Sequence, residues 1–315
     1  MKNKKIIAVV GATGAQGGGL VRAILNDPNG GFKPRAITRN PSSEKAKKLK
    51  EMGAEVVEAN IDNKESIIKA FEGAYGAFCV TNFREHFSPE KEMQQAKNMA
   101  EAGKDAGIEH VIWSTLEDTR KWIPLDDDRM PTLMEKYKVP HFDGKGEADE
   151  YFSDSGVPYT LLFTSFYWDN FIHFGMAPQK GEDGELTITF PMDNKVLPGI
   201  AAEDIGKCTY GIFKAGDTYK NKIVAIAGEQ LTGKEMAEIF SDVYGKKVKY
   251  NAVPAEVYRN FDFPGADDLG NMFQFKVEEE EYFCTIRDVN ASRKLNPELQ
   301  TFKKWLMEHK DEMDI

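Results

Sequence analysis

IIAVVGATGAQG, residues 6–17, decides the fold class of this chain. Five apolar residues predict a buried strand, and glycines at positions 11, 14 and 17 open the helix that follows. In such a loop the first glycine permits the sharp turn, and the second lets a pyrophosphate approach the backbone. The third lets the helix pack closely against the strand.

The N-terminus of that helix adds unpaired N–H groups and the positive end of the helix dipole, which together attract phosphate. A glycine-rich turn without a ligand is the alternative, but the strand–loop–helix context favours a dinucleotide-binding loop. The candidate residues are Gly11, Thr13, Gly14, Ala15, Gln16 and Gly17.

Short apolar runs and longer amphipathic runs alternate through the first 165 residues. Strand followed by helix recurs five times, a fifth strand lies at His110–Ser114, and Pro158–Phe163 predicts a sixth. This alternation is typical of a parallel sheet with helices on both faces. The sequence therefore predicts an α/β fold with a doubly wound parallel sheet in residues 1–165.

The second half loses this regularity. Leu186–Phe190 and Ile223–Ala227 look like strands of a different grouping, and residues 117–139 look like an insertion over the top of the sheet. We therefore predict a smaller α/β lobe for substrate or partner in residues 166–315, interleaved with the first domain. In this prediction, segments of residues 166–315 can also belong to the domain formed by residues 1–165.

The turn after the second strand bears on the choice of dinucleotide. NAD-selective sites usually place an acidic residue there to hold the ribose 2′-hydroxyl. This chain has Arg39 at the matching place, with Asn40 and Ser43 in the same turn. An arginine can clamp a 2′-phosphate, which favours NADP over NAD; the alternative is a plain surface arginine. After the third strand, the candidates for the adenine pocket are Asn60, Ile61 and Asp62.

The charge balance argues against whole classes of partner. Lys and Arg total 41 against 51 Asp and Glu, a formal net charge of −10. An acidic surface repels nucleic acid and anionic membrane, so we expect neither to bind across a broad face. No run approaches the ~20 apolar residues of a membrane span, and three scattered cysteines are typical of a reducing compartment. We expect a cytoplasmic protein and, since no histidine has ligand spacing with carboxylates, no metal site.

His141 and Lys145 stand four residues apart, so on a helix they face the same way. With this pair the sequence resembles the atypical short-chain dehydrogenases/reductases and, within them, the NmrA-like proteins, closest to the vertebrate NADPH-sensor member. The stretches that carry the resemblance are GATGAQGG (11–18), TRNP (38–41), VTNF (80–83), HFDGKGEADEYF (141–152), GVP (156–158), YWDN (167–170), FPGA (263–266) and NMF (271–273). They span nearly the whole chain and imply a Rossmann sheet that binds NADP(H).

The resemblance implies three candidate catalytic residues. Lys145 would reach the nicotinamide ribose, and Ser114 stands where the superfamily's catalytic serine stands. His141 occupies the place of the tyrosine in the superfamily's Y-x-x-x-K motif. A phenol beside a lysine can pass a proton during carbonyl reduction. An imidazole beside the same cation favours its neutral form and places its donor elsewhere, which argues against ordinary dehydrogenase chemistry.

Two further loops complete the predicted site, with loop packing as the alternative for each. Thr81, Asn82 and Phe83 follow the fourth strand and would line the adenosine or nicotinamide-ribose side of the cofactor. After the sixth strand, the residues that would close over the nicotinamide end are Tyr167, Trp168, Asp169 and Asn170.

Two functions stay open. In a sensor, NADP(H) occupancy would change the loops of the protein, and a regulated partner protein would respond to that change. His141 in place of tyrosine favours this function. An NADPH-dependent reductase would instead bind a quinone or small carbonyl compound as its small-molecule substrate. Monomer and homodimer are both left open.

Overall fold

The computed structural model describes residues 4–181, 184–313 and 315 of the 315-residue chain. Its strands are β1 (Lys5–Val9), β2 (Phe32–Thr38), β3 (Glu55–Glu58), β4 (Gly76–Cys79), β5 (His110–Thr115), β6 (Tyr159–Phe163), β7 (Phe166–Tyr167), β8 (Gln179–Lys180), β9 (Leu186–Thr189), β10 (Val196–Ile200), β11 (Lys222–Ala225), β12 (Glu229–Thr232) and β13 (Val248–Asn251). Its helices are α1 (Ala15–Leu25), α2 (Glu44–Glu51), α3 (Lys64–Phe71), α4 (Pro89–Asp105), α5 (Pro140–Ser153), α6 (Asn170–His173), α7 (Ala202–Lys214), α8 (Gly233–Tyr244), α9 (Ala255–Tyr258), α10 (Ala266–Glu278), α11 (Glu280–Ile286), α12 (Val289–Leu295) and α13 (Phe302–His309).

The chain forms two compact units and passes between them several times. The first contains the residues up to Asp118 together with His141–Thr164 and Glu203–Val224. The second contains Thr119–Pro140, Ser165–Ala202 and the residues from Ala225 onward. A single boundary at residue 165 is simpler than this division. The assignment of cofactor to one domain and of substrate or partner to the other stays a prediction.

The first unit is built on a seven-stranded sheet in the order β11-β6-β5-β4-β1-β2-β3. β1 to β6 pair in parallel throughout. The predicted α/β fold with a doubly wound parallel sheet is therefore confirmed. β1 lies between β2 and β4, so the strand order reverses there. The loops that follow β1 and β4 open at the point where such sheets bind ligands.

β11 departs from the sequence prediction, which gave Ile223–Ala227 to a different grouping. The structure places β11 at the edge of the main sheet, beside β6. α7 precedes it and packs against α1 through two glycines. A Cβ on Gly19 would lie 2.7 Å from the carbonyl oxygen of Glu203, and a Cβ on Gly206 would overlap the backbone of Leu20. Since a side chain at either position would clash with backbone, this packing joins α7 to the first unit.

His110, the first residue of β5, is a buried titratable group in this unit. Its Nε2 lies 2.8 Å from Thr160 Oγ1 on β6, and its ring packs edge-on against Phe213 with 5.4 Å between ring centroids. Burial lowers the pKa of His110 from its ordinary 6.5 to about 4. The folded protein therefore keeps this imidazole neutral at pH values where the unfolded chain protonates it.

We expect the free energy of unfolding to fall as the pH drops through the window between 6.5 and about 4. In this window the unfolded chain protonates His110 and the folded protein does not. The free energy of unfolding therefore falls by about 2 kcal/mol by about pH 5. Urea unfolding of the wild type and of His110→Gln, at about pH 7.5 and about pH 5, measures this contribution. The variant should lose about 2 kcal/mol less than the wild type between the two conditions. An equal loss in both proteins would assign the pH dependence to another group.

The second unit contains two three-stranded sheets, in the orders β12-β10-β7 and β13-β9-β8. β9 thus lies outside the main sheet, as the sequence predicts. The core of this unit is strongly aromatic, with every ring at most 4% exposed: Phe166, Trp168, Phe171, Phe190, Phe240, Phe273, Phe302 and Trp305.

Within the second unit, α10 holds the segment that precedes α5. Asn271 Nδ2 donates hydrogen bonds to the carbonyl oxygens of Pro131 and Lys138, at 2.9 and 2.6 Å. The buried ammonium of Lys138 donates to the carbonyl oxygens of Asp127 and Met130, at 2.8 and 2.7 Å. The charged, proline-bearing segment that the sequence marks as an insertion is therefore anchored by side-chain bonds within its own unit.

Across the described ranges, no helix combines the length and the apolar character needed to cross a bilayer. In the same ranges, His, Cys, Asp and Glu side chains form no group of three that could hold a metal ion.

Candidate functional site

The structure accounts differently for each of the three glycines in the loop after β1. Gly11 has φ +65°, a conformation that side chains other than glycine's rarely adopt. A Cβ on Gly17 would lie 2.5 Å from the carbonyl oxygen of Gly11 and 2.9 Å from that of Val10. Gly14 has φ −89°, and a Cβ there would lie 3.2 Å from the Gly11 oxygen, a contact that a small shift relieves. The fold therefore explains Gly11 and Gly17, and it explains Gly14 only weakly.

Gly14 is also the N-cap of α1, and no side chain caps the helix there. Gly11, Gly14 and Ala15 are exposed, while Thr13 and Gln16 are half-buried. An exposed helix N-terminus without a capping side chain leaves backbone N–H groups for an anion. The residues of this loop therefore fit the pyrophosphate of a dinucleotide.

Ser114, near the end of β5, lies beside Gln16 of the glycine loop. Ser114 Oγ donates to Gln16 Oε1 at 2.7 Å, and Ser114 is buried. Asp149, which was not among the predicted site residues, fixes α5 to β5. Its Oδ1 accepts from Trp113 Nε1 at 3.0 Å and from Thr115 Oγ1 at 2.7 Å. These bonds set the position of the helix that carries His141 and Lys145.

Lys145 belongs to a buried polar cluster with Thr81 and Glu92. Its Nζ donates to Thr81 Oγ1 at 2.6 Å and pairs with Glu92 Oε1 at 2.8 Å. The Thr81 hydroxyl in turn donates to the same Glu92 oxygen at 2.5 Å. The side chain of Glu92 is fully buried, and that of Lys145 is 11% exposed. The charge of Lys145 is therefore balanced inside the protein by a carboxylate.

The position of Glu92 in the helical pattern of α4 indicates a buried carboxylate, which the prediction did not use. On α4 it shares the inward face with Gln95, Ala96 and Met99, at helical spacings of three, four and seven residues. A carboxylate on such a face needs a cationic or hydrogen-bonding partner, because burying an unpaired charge is costly. The partner, Lys145, lies on a different helix and cannot be read from this spacing.

His141 lies in the first turn of α5 and contacts the loop after β4. The centroid of its ring is 5.9 Å from that of Phe83 and 4.8 Å from that of Phe142. Phe83 is buried and also packs against His86 and Phe87. Two predicted site residues, one from each element, are thus brought into contact.

Arg39 directly follows β2, in the predicted turn, and pairs with a residue that was not predicted. Its Nη1 and Nη2 donate to the two carboxylate oxygens of Glu85, each at 2.8 Å. Asn82 Nδ2 donates to Glu85 Oε1 at 3.2 Å. Burial raises the pKa of Glu85, but the bond to Arg39, its charge and the bond from Asn82 together lower it below its usual value. Glu85 is therefore an anion at neutral pH.

The neighbouring turn residues have structural partners. Ser43 Oγ caps α2 by accepting from the backbone N–H of Ala46 at 3.2 Å, and Asn40 Oδ1 accepts from the N–H of Ser42 at 3.0 Å. These bonds shape the turn around Arg39. A contact of Asn40 or Ser43 with a phosphate stays a prediction.

The segment after β3 is held by α4. Gln95 Nε2 donates to Asp62 Oδ1 at 2.8 Å, and Asn98 Nδ2 donates to the carbonyl oxygen of Ile61 at 2.9 Å. Asn60 Oδ1 accepts from the N–H of Asp62 at 3.0 Å. These bonds fix the path of the loop, and its role as an adenine pocket stays a prediction.

Tyr167, Trp168, Asp169 and Asn170 belong to the second unit. Trp168 is 1% exposed and packs against Phe302 and Trp305, so its side chain is accounted for by the core. Asp169 Oδ2 accepts from the N–H of Ala202 at 2.8 Å, and burial raises the pKa of Asp169. Closure of these residues over a nicotinamide stays a prediction.

The model of the NmrA-like family matches residues 3–306. The chain belongs to the NmrA-like family. The resemblance drawn from the motifs is thereby confirmed at the level of the family.

Relatives within the NmrA-like family include proteins described as oxidoreductases. The NmrA-like family domain-containing oxidoreductase FrzB of Cladobotryum sp. is 31% identical over 294 residues, which cover 86% of this chain and 83% of FrzB. An NmrA-like family domain-containing protein of Dictyostelium discoideum is 30% identical over 269 residues, covering 82% of this chain and 84% of its own.

Solved structures share the fold over nearly the full length. NmrA, described as a negative transcriptional regulator, in complex with NADP, has a TM-score of 0.79 at 24% identity and covers 98% of this chain and 95% of its own. The triphenylmethane reductase of Citrobacter sp., complexed with NADP(H), has a TM-score of 0.74 at 21% identity, with coverages of 97% and 99%. At these identities the likeness establishes the fold.

Proposed function

We propose that this NmrA-like protein binds NADP(H) at the carboxyl edge of the first unit's sheet and uses it as a signal. The observation that carries the binding is the loop after β1, where Gly14 leaves an uncapped helix N-terminus exposed. The backbone of Gly14 to Gln16 would hold the pyrophosphate, and Arg39 the 2′-phosphate. Thr81 and Lys145 would hold the nicotinamide ribose. NADPH, when bound, would supply a hydride.

The Lys145 cluster supports a signal over a reaction. A lysine helps a tyrosine to donate a proton by presenting positive charge beside it. Here His141 stands in the place of the tyrosine, and Glu92 neutralises the ammonium of Lys145 at 2.8 Å. The hydroxyl of Ser114 is engaged with Gln16. Ser114 and Lys145 are therefore each engaged with a structural partner, and the tyrosine of the superfamily is replaced by His141.

A ligand shifts a conformational equilibrium only by the difference between its affinities for the two conformations. A sensor must therefore bind NADP(H) more tightly in one of its conformations than in the other. We propose that occupancy by NADP(H) changes the loop after β4, which carries Phe83 against His141, and that a partner protein responds to the change. The likeness to the vertebrate NADPH-sensor member, drawn from the motifs, supports this choice.

A second candidate is an NADPH-dependent reductase of a quinone or small carbonyl compound. It is favoured by the naming of relatives such as FrzB as oxidoreductases. In that reaction a hydride would pass from NADPH to the substrate, and a proton would come from His141 or from solvent.

Oxidation of NADPH, followed at the absorption band of reduced nicotinamide against a panel of quinones and aldehydes, separates the two functions. For a sensor we expect turnover far below ~1 s⁻¹, with no further loss in His141→Ala. Turnover above ~1 s⁻¹ that His141→Ala abolishes would replace the sensor with the reductase.

We expect Arg39→Ala to weaken NADP(H) about 10-fold or more and to leave NAD(H) nearly unchanged, since one charge-assisted bond to the 2′-phosphate contributes about 1.5–3 kcal/mol. Titration calorimetry with both oxidised cofactors measures the difference. An equal loss for NADP and NAD would remove Arg39 from the proposed 2′-phosphate site.

A further inference from the structure

Glu85 holds two residues that the sequence assigns to the cofactor. Arg39 donates to it through both terminal nitrogens, at 2.8 Å each, and Asn82 donates at 3.2 Å. Glu85 ends the 3₁₀ turn Phe83–Glu85, in the loop after β4. Its side chain is 43% exposed and that of Arg39 is 63% exposed, so solvent and solutes reach the pair.

A carboxylate and a phosphate use the same geometry on a guanidinium, since each accepts two parallel N–H bonds. Glu85 occupies the fork formed by the two terminal nitrogens of Arg39. A 2′-phosphate that takes this fork must displace the carboxylate, which then remains nearby as a like charge. The 2′-hydroxyl of NAD carries no charge and does not compete in this way.

We infer that Glu85 is a specificity-determining residue, an internal anion that competes with the 2′-phosphate for Arg39 and so narrows the preference for NADP(H) over NAD(H). This inference rests on the proposed binding of NADP(H).

The test is titration calorimetry of Glu85→Gln with NADP⁺ and NAD⁺. We expect the variant to bind NADP⁺ about 3- to 10-fold more tightly, because an exposed pair and a screened like charge are each weak. NAD⁺ affinity should change less than about 2-fold. Glu85→Ala should shift NADP⁺ in the same direction, and in an Arg39→Ala background Glu85→Gln should have a much smaller effect.

Asp217→Asn is the matched control, because it also removes one exposed negative charge from the first unit. Asp217 pairs with Lys220 at 2.8 Å in the turn before β11, near His110 at the amino end of β5. It should leave both affinities unchanged.

Three results would overturn the inference. Weaker NADP⁺ binding by Glu85→Gln would mean that Glu85 aligns Arg39, and weaker NAD⁺ binding would mean that it holds the ribose hydroxyls. Unchanged affinities would mean that the pair has no part in binding. If Arg39→Ala binds NADP⁺ as tightly as the wild type, the proposed 2′-phosphate site itself is wrong. This comparison needs no Glu85 variant, so the two failures are distinguishable.

Discussion

Replacing Gly14 with valine is expected to weaken NADP(H) and NAD(H) together by about 100-fold or more, since the pyrophosphate is common to both and binds at the helix N-terminus. The chain should still fold. Gly14 has φ −89°, which any residue adopts, and a Cβ there needs a shift of a few tenths of an ångström from the Gly11 oxygen. Titration calorimetry gives the affinities. Circular dichroism and urea unfolding should show a stability loss below about 1.5 kcal/mol.

Gly17→Ala provides the contrasting control. A Cβ there would lie 2.5 Å from the carbonyl oxygen of Gly11, which is backbone and cannot move aside cheaply. We expect this smaller substitution to lower the free energy of unfolding by about 2 kcal/mol or more. A Gly14→Val protein that is folded and binds NADP⁺ at wild-type strength would remove the pyrophosphate from this loop.

Replacing Lys145 with methionine is expected to lower the free energy of unfolding by about 3–5 kcal/mol, the cost of removing one partner of a buried ion pair. The reason is Glu92, whose fully buried carboxylate would lose the ammonium 2.8 Å away. Adding Glu92→Leu to Lys145→Met should recover part of the loss, because no charge is left unpaired, while the buried hydroxyl of Thr81 loses both of its partners. Urea unfolding of the wild type, both single variants and the double variant measures the coupling.

Lys64→Met is the control for the loss of a lysine charge. Lys64 pairs with Glu101 and Asp105 on an exposed surface of the same unit, at 3.1 and 2.9 Å. Its removal should cost much less than the removal of Lys145, because water solvates the two acids left behind. Equal losses for Lys64→Met and Lys145→Met would mean that the Lys145 cluster is not stabilised by burial.

Local patterns in the sequence were sufficient to predict β1 to β6 and the helices between them. The glycine spacing and the strand–helix alternation are short-range features, and both correspond to elements of the structure. The edge strand β11 was not predictable in this way, because its place beside β6 depends on a contact between strands separated by about 60 residues. The packing of Gly206 against α1 that brings it there is equally remote in sequence.

The candidate site shows the same limit. Arg39 could be placed because it directly follows a strand, but its partner Glu85 is 46 residues away. Lys145 could be placed by its spacing from His141, but the carboxylate that neutralises it lies on another helix. The side chain of Trp168 packs in an aromatic core that the motif match did not reveal, and its contact with a ligand stays a prediction. Pairings across elements depend on the three-dimensional fold.

The late position of β11 has a consequence for the protein while it is being synthesised. β6 is complete at residue 163, whereas β11 ends at residue 225, and α7 lies between them. At about 5–20 residues per second, this separation leaves roughly 3 to 12 s in which β6 is the outermost strand of a growing sheet. An apolar strand with one open side is a template for pairing with another chain. Nascent chains halted in this interval should therefore be the form most prone to aggregate.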